Sequence, residues 1–229
     1  MNRLFIVLLF VFISLSGFGQ SKWGYGLIFS PDAVSETNKA PDALVHYKLM
    51  IRYTAGANII YNLNKRFGLV SGLWFSERGT STNDDVGTGA SYNGIPYSKL
   101  SIRNSEGYLE LPVLLKFSSA ASKRLSFYST AGLVFSTILY EKYRQQDAGT
   151  QISYYWGYTI ATFQAYRPMY YLATISTGLA YQLNEKTKIT VEPNIKYSLN
   201  TLYNTTPASP EYHTHEYSVG IRFGVYRSF

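Results

Sequence analysis

The chain has 229 residues, enough for one domain with a filled interior, and nothing in it marks a second. Charged residues make up 15% and aromatics 17%, whereas an average soluble chain carries roughly 25% charge, so the ions that solvate a globular surface are scarce. There is no cysteine, which excludes a disulfide framework, a cysteine-ligated metal and a lipid-bearing cysteine; the net charge of +7 comes with no phosphate-cradling glycine loop and no basic helix, which speaks against nucleic acid as a partner.

Residues 1–19 read as a cleaved signal peptide. Arg3 supplies the positive start, Leu4 to Leu15 an apolar run broken only by Ser14, and Gly17 and Gly19 the small residues before Gln20. That run is shorter than the ~20 residues a spanning helix needs. The remaining domain, residues 20–229, contains no stretch of eighteen apolar residues. Leu125 to Tyr140 comes nearest, but Ser126, Ser129, Thr130, Ser136 and Thr137 interrupt it, a pattern suited to a strand with two unlike faces.

Eight strands are predicted in order: Lys22–Ser30, Tyr47–Leu63, Phe67–Arg78, Gly107–Phe117, Leu125–Tyr140, Met169–Leu183, Lys188–Asn200 and His215–Phe229. Alternation is sharpest near the end of the chain. Ile189, Val191, Ile195 and Tyr197 oppose Thr190, Glu192, Asn194 and Lys196, and the last strand repeats the pattern. Pro112 and Pro193 fall inside strands, which predicts bulges or positions near a rim. Tyr226 and Arg227 break the last pattern and are expected to reach the interface.

The connections sort by parity. After strands two, four and six they are short (residues 64–66, 118–124 and 184–187), and after strands one, three, five and seven they are long. A meander that crosses a membrane repeatedly has this form, with tight turns on the periplasmic side and large loops outside. Without a spanning helix only a closed barrel can satisfy its backbone in hydrocarbon. The polar face is rich in Gly, Ser and Thr, which fit a narrow lumen, and too few ions remain to solvate an exterior. Aromatics near strand ends (Trp23, Tyr61, Trp74, Tyr108, Tyr140, Tyr171, Tyr181 and Tyr217) suggest interfacial girdles. The expected fold is therefore all-β: a single eight-stranded antiparallel up-and-down transmembrane barrel in the bacterial outer membrane.

The strand Tyr108-Leu109-Glu110-Leu111-Pro112-Val113-Leu114-Leu115-Lys116-Phe117 resembles the Y-L-E-x-P-x-L-L-K strand of the PorT-like outer-membrane β-barrel family of Bacteroidetes. Gly132 to Ser136 and the aromatic end at Phe229 are similar too. The resemblance covers the mature chain and implies a barrel with no known catalytic activity; some relatives assist protein secretion.

Parity places Arg52, Glu110, Lys116, Glu192, Lys196 and Arg222 in the lumen, where six ionisable groups in a narrow tube must pair. They read as a structural ionic network filling the barrel. Tyr154, Tyr155, Trp156, Tyr158 and Tyr166 crowd one outer loop as a possible contact surface for protein, glycan or headgroup, and Asn83, Asp84 and Asp85 form an acidic stretch in another. Tyr217, Phe223 and Phe229 make the last strand a segment that barrel-insertion machinery could bind by strand addition. His46, His213 and His215 differ in register and offer no metal site. No catalytic residue and no cofactor emerge. The expected partners are outer-membrane lipid, the insertion machinery and envelope or secretion proteins. The expected role is a non-enzymatic structural or interaction barrel; a small passive channel and a lipid-modifying barrel enzyme stand as alternatives.

Overall fold

A computed structural model of the chain describes residues 22–38, 47–79, 81–84, 91–92, 95–96, 100–120, 124–147, 152–156, 169–201 and 214–228. Residues 1–19, expected as a signal peptide, and His46, Asp85, Tyr158, Tyr166, His213 and Phe229 lie outside the described residues.

Eight long strands form the body: β1 (Trp23–Asn38), β2 (Met50–Asn62), β3 (Phe67–Arg78), β4 (Leu100–Ala120), β5 (Leu125–Asp147), β6 (Tyr170–Gln182), β7 (Thr187–Ser198) and β8 (Thr214–Ser228). Each pairs antiparallel with its chain neighbours, and β1 pairs with β8, so the sheet closes with no edge in the barrel. Along β7 exposure alternates residue by residue from Ile189 to Ser198. Leu27, Ile51, Leu73, Ile175 and Val225 are among the residues that give the outside a continuous apolar wall. Thr54, Glu110, Ser176, Lys196 and Arg222 are buried on the inside. A soluble protein of this size hides such leucines and exposes such ions; here the arrangement is inverted, as lipid requires.

Two of the short turns are built from one local sequence. Tyr61-Asn62-Leu63-Asn64-Lys65-Arg66 and Tyr181-Gln182-Leu183-Asn184-Glu185-Lys186 share their spacing. In the first, the Asn64 side-chain oxygen accepts from the amides of Arg66 and Phe67, both at 2.8 Å. In the second, that of Asn184 accepts from Lys186 at 3.1 Å and Thr187 at 2.8 Å. An asparagine that satisfies the turn's amides holds both hairpins in register.

Several strands run past their expected ends. β1 continues to Asn38, β4 begins at Leu100 and β5 reaches Asp147, so residues 31–38, 100–106 and 141–147 are strand rather than loop. At about 3.3 Å per residue the 23 residues of β5 extend about 75 Å, nearly twice the 12 residues of β7. The excess projects beyond the mouth. There Ile152–Trp156 pairs with β5, Ser81–Asp84 with β4, and Tyr47–Lys48 with Ser81–Thr82, which makes a five-stranded extension on one side. Gly79 starts this departure at φ +128°, a backbone conformation open to glycine, and a Cβ there would strike the Asn104 carbonyl.

The prolines do not mark bulges or rims. Pro112 and Pro193 sit in mid-strand, and the ladder on one side skips past them in unchanged register: Ser71–Val113 resumes at Trp74–Glu110, and Ser176–Asn194 at Leu179–Val191. Their missing N–H groups account for the gaps. The bulge lies elsewhere, where Gly107 pairs with Tyr140 but Tyr108 with Ile138. Tyr226 does not reach outward to the interface. It is buried, and its hydroxyl accepts a 2.9 Å hydrogen bond from Asn58 inside the barrel.

Candidate functional site in the barrel lumen

The inward positions assemble a chain of charges along the barrel axis. Near the mouth Arg52 lies 3.5 Å from Glu77 and donates to the Asn104 carbonyl at 3.1 Å and the Ser105 hydroxyl at 2.8 Å. Below it Arg78 is held between two carboxylates, Glu110 and Glu216, the latter at 3.2 Å, and donates to Ser136 at 2.9 Å. The rings of Tyr108 and Tyr170 lie 4.3 and 5.3 Å from its guanidinium carbon, so its charge also meets two π faces. The Tyr108 hydroxyl donates to Glu106.

Glu110 also faces Lys196 at 3.7 Å, and Lys196 lies 3.5 Å from Asp32. Asp32 accepts from Ser30 and Thr54, each at 2.6 Å. The barrel centre is therefore a connected network in which Asp32, Glu110 and Glu216 each face a cation, the condition under which buried charge is tolerated.

Trp74 forms the waist. Fully buried, it donates through its indole N–H to Asn58 at 2.6 Å. Lys196 lies 5.6 Å from its ring and Arg222 4.6 Å. Nearer the short turns Arg222 pairs with Glu192 at 3.0 Å, Ser176 donates to Glu192 at 2.6 Å, and Lys116 stands 5.1 Å over the Tyr128 ring. The void left between Asn58, Lys116, Tyr128, Glu192, Arg222 and Tyr226 measures about 10 Å³, about one water.

The six lumen candidates thus all point inward, but at three levels: Arg52 at the rim, Glu110 and Lys196 in the centre, and Lys116, Glu192 and Arg222 beneath the waist. Asp32, Arg78, Glu106 and Glu216 complete the constellation and were not among the candidates. Asp32 and Glu106 belong to segments read as loop. Arg78 and Glu216 lie near strand ends, where a charge reads as rim, although alternation gives both the inward parity. Trp74 and Tyr108 are corrections to the proposed girdle, at 0% and 2% exposure; their faces are taken by cations rather than by the membrane interface. Trp23 and Tyr61 do face outward at the turn end, with ring centroids 4.7 Å apart.

Of the loop candidates, Tyr154, Tyr155 and Trp156 lie on a strand where they pair with Arg144, Tyr143 and Lys142 of β5, in that order. Phe223 faces outward on β8, and Tyr217 is half-buried beside Ser35 and Tyr197 in the ladder. His215 stacks on Tyr197 at 5.6 Å, and its Nδ1 lies 3.3 Å from the Ser198 hydroxyl. Among the described residues no three His, Cys, Asp or Glu side chains gather as a metal site.

A closed antiparallel barrel with an apolar exterior and an ionic interior is a transmembrane β-barrel. The model of the family described as "Outer membrane protein beta-barrel domain" matches residues 18–204, and the chain belongs to that family and to the outer membrane. Solved structures similar to it include Neisserial surface protein A, at 8% identity over 91% of this chain and 98% of that one, TM-score 0.46. Ail of Yersinia pestis is similar at 11% identity, 90% and 98% coverage and TM-score 0.41, and OprG of Pseudomonas aeruginosa at 11%, 90%, 96% and 0.41. No curated protein matches the sequence.

Proposed function

We propose that the chain is a non-enzymatic component of the envelope, a barrel that anchors an interaction surface carried outside the membrane. The observation that carries this reading is the pairing of a filled lumen with a one-sided extension. The ion pairs around Arg78, Glu110 and Lys196 and the buried Trp74 occupy the middle of the lumen, which supports a filled rather than a conducting barrel. Beyond them a five-stranded sheet continues, ending on the Ile152–Trp156 strand. Backbone ladders at such a sheet suit recognition by strand addition, and the Tyr154-Tyr155-Trp156 run supplies residue types favoured at contacts. The Tyr108–Phe117 strand favours a PorT-like relative, and with it an accessory role beside a secretion or envelope complex. Residues 1–19 serve in this reading as the export signal, and β8 with Tyr217, Phe223 and Phe229 as the segment met by insertion machinery.

Reconstituted in planar bilayers, the mature chain is expected to show no unitary conductance steps. Mild-detergent capture of the tagged protein, followed by mass spectrometry, is expected to recover envelope proteins, and replacement of Tyr154, Tyr155 and Trp156 by serine to release them. Reproducible steps would favour the passive channel, and capture unchanged by the triple substitution would remove the extension as the contact surface.

A further inference from the structure

One stretch of the outer wall is recessed. Across β1, β8, β7 and β6, toward the short turns, lies an open apolar groove of about 610 Å³, within the roughly 300–1,000 Å³ of small-ligand sites. Its middle carries β-branched side chains, Ile189 and Val191 of β7 and Val225 of β8. Longer side chains flank them, Leu27 and Phe29 on β1 and Tyr181 on β6. The ladder puts Leu27, Val225, Ile189 and Tyr181 in one row around the barrel. The next outward row toward the turns holds Arg227, opposite Tyr25 on one side and Thr187 on the other. Arg227 is exposed, about 7 Å along the strand from Val225, and pairs with no acid among the described residues. Lys186 comes beside it, because the Lys186 carbonyl accepts the Ser228 amide at 2.8 Å. The turn end as a whole is basic: Lys22, Lys65, Arg66, Arg124, Lys186 and Arg227 are exposed there, against Glu185 alone among the described residues.

We infer that this groove holds an acyl chain of one anionic phospholipid, whose phosphate sits at Arg227 and Lys186. The apolar recess selects the chain, and the cations at its turn end select the headgroup. In a barrel of this kind the short turns lie at the periplasmic leaflet, so the lipid comes from that side. Charge alone does not make the site. On the opposite wall Lys65 and Arg66 are equally exposed, but there the rings of Phe67 and Phe117 pack 5.4 Å apart and the groove does not reach them. A second copy of the chain fits the groove less well, since it would set two basic turn ends side by side. The inference is independent of the outer contact surface and stands or falls without it.

The test uses the full mature barrel in nanodiscs of phosphatidylcholine. Traces of phosphatidylglycerol or phosphatidylcholine with the same nitroxide-labelled chain are added, and the immobilised fraction of each is read by electron spin resonance. Phosphatidylglycerol is expected to be held preferentially, and unlabelled phosphatidylglycerol to displace it with saturation at one lipid per barrel. Arg227→Gln is expected to cut that preference about fivefold, the effect of one basic residue at an anionic headgroup. Val191→Trp, which fills the groove and leaves every cation in place, is expected to abolish the saturable component. Lys65→Gln combined with Arg66→Gln, on the opposite wall, is expected to leave it intact. Equal retention of the two lipids, a preference that survives Val191→Trp, or one lost equally in the opposite-wall variant would overturn the assignment. So would a stable dimer whose chemical cross-links cover Val191.

Discussion

Replacing Arg78 by alanine is expected to destabilise the folded barrel by about 3–5 kcal/mol, the loss typical when a buried ion network loses one member. The cause is less the lost attraction than the charge left behind. Glu110 and Glu216 both face Arg78, both are buried, and Lys196 reaches only Glu110, at 3.7 Å. Glu216 would keep no cation of the network. Adding Glu216→Gln to Arg78→Ala is therefore expected to recover part of the loss, because the second change removes the stranded charge. Equilibrium urea unfolding in lipid vesicles, followed by tryptophan fluorescence, measures both. A loss under about 1 kcal/mol would place this pair in a hydrated channel, where exposed ion pairs contribute little.

The outer wall gives the second large effect. Val113 faces outward in the middle of β4 at 49% exposure, and Phe117 faces outward at the turn end, 5.4 Å from the Phe67 ring. Val113→Arg is expected to cost about 2–4 kcal/mol in a bilayer, and Phe117→Arg, with its charge near the headgroups, about 1 kcal/mol or less from charge burial. The depth dependence is the informative part. Water-facing positions would show no such gradient, so equal costs at the two sites would contradict the assignment of this wall to lipid. The same unfolding assay reads both variants.

Most of the barrel is legible in the sequence because its constraints are local and repetitive. Period two in β7 and β8 fixes which side chains share a face, and the parity of loop lengths fixes how strands connect. The duplicated asparagine turns at Asn64 and Asn184 are equally readable, once the Tyr-x-Leu-Asn pattern is noticed. What escapes is whatever depends on partners across the lumen. Trp74 reads as a girdle residue because an aromatic near a strand end ordinarily is one; its inward place follows from Asn58, Arg222 and Lys196, on three other strands. Asp32 reads as loop because Pro31 precedes it. Yet β1 continues through that proline, with pairing to β8 interrupted between Phe29–Phe223 and Asp32–Gly220. Strand ends beyond the membrane carry no alternation imposed by lipid, so the extensions of β4 and β5 leave no periodic trace.

One face of this ribbon meets acyl chains while the other is walled in around ions. The chain contains no cysteine, so single cysteines introduced along β7, from Ile189 to Ser198, report without background. In vesicles, spin labels at Ile189, Val191 and Ile195 are expected to respond to lipid-soluble oxygen, whereas cysteines at Glu192, Asn194 and Lys196 resist both that probe and a water-soluble maleimide. Ready maleimide labelling at the isoleucine and valine positions would turn the barrel inside out, and steady labelling through Glu192 to Lys196 would open its lumen to water.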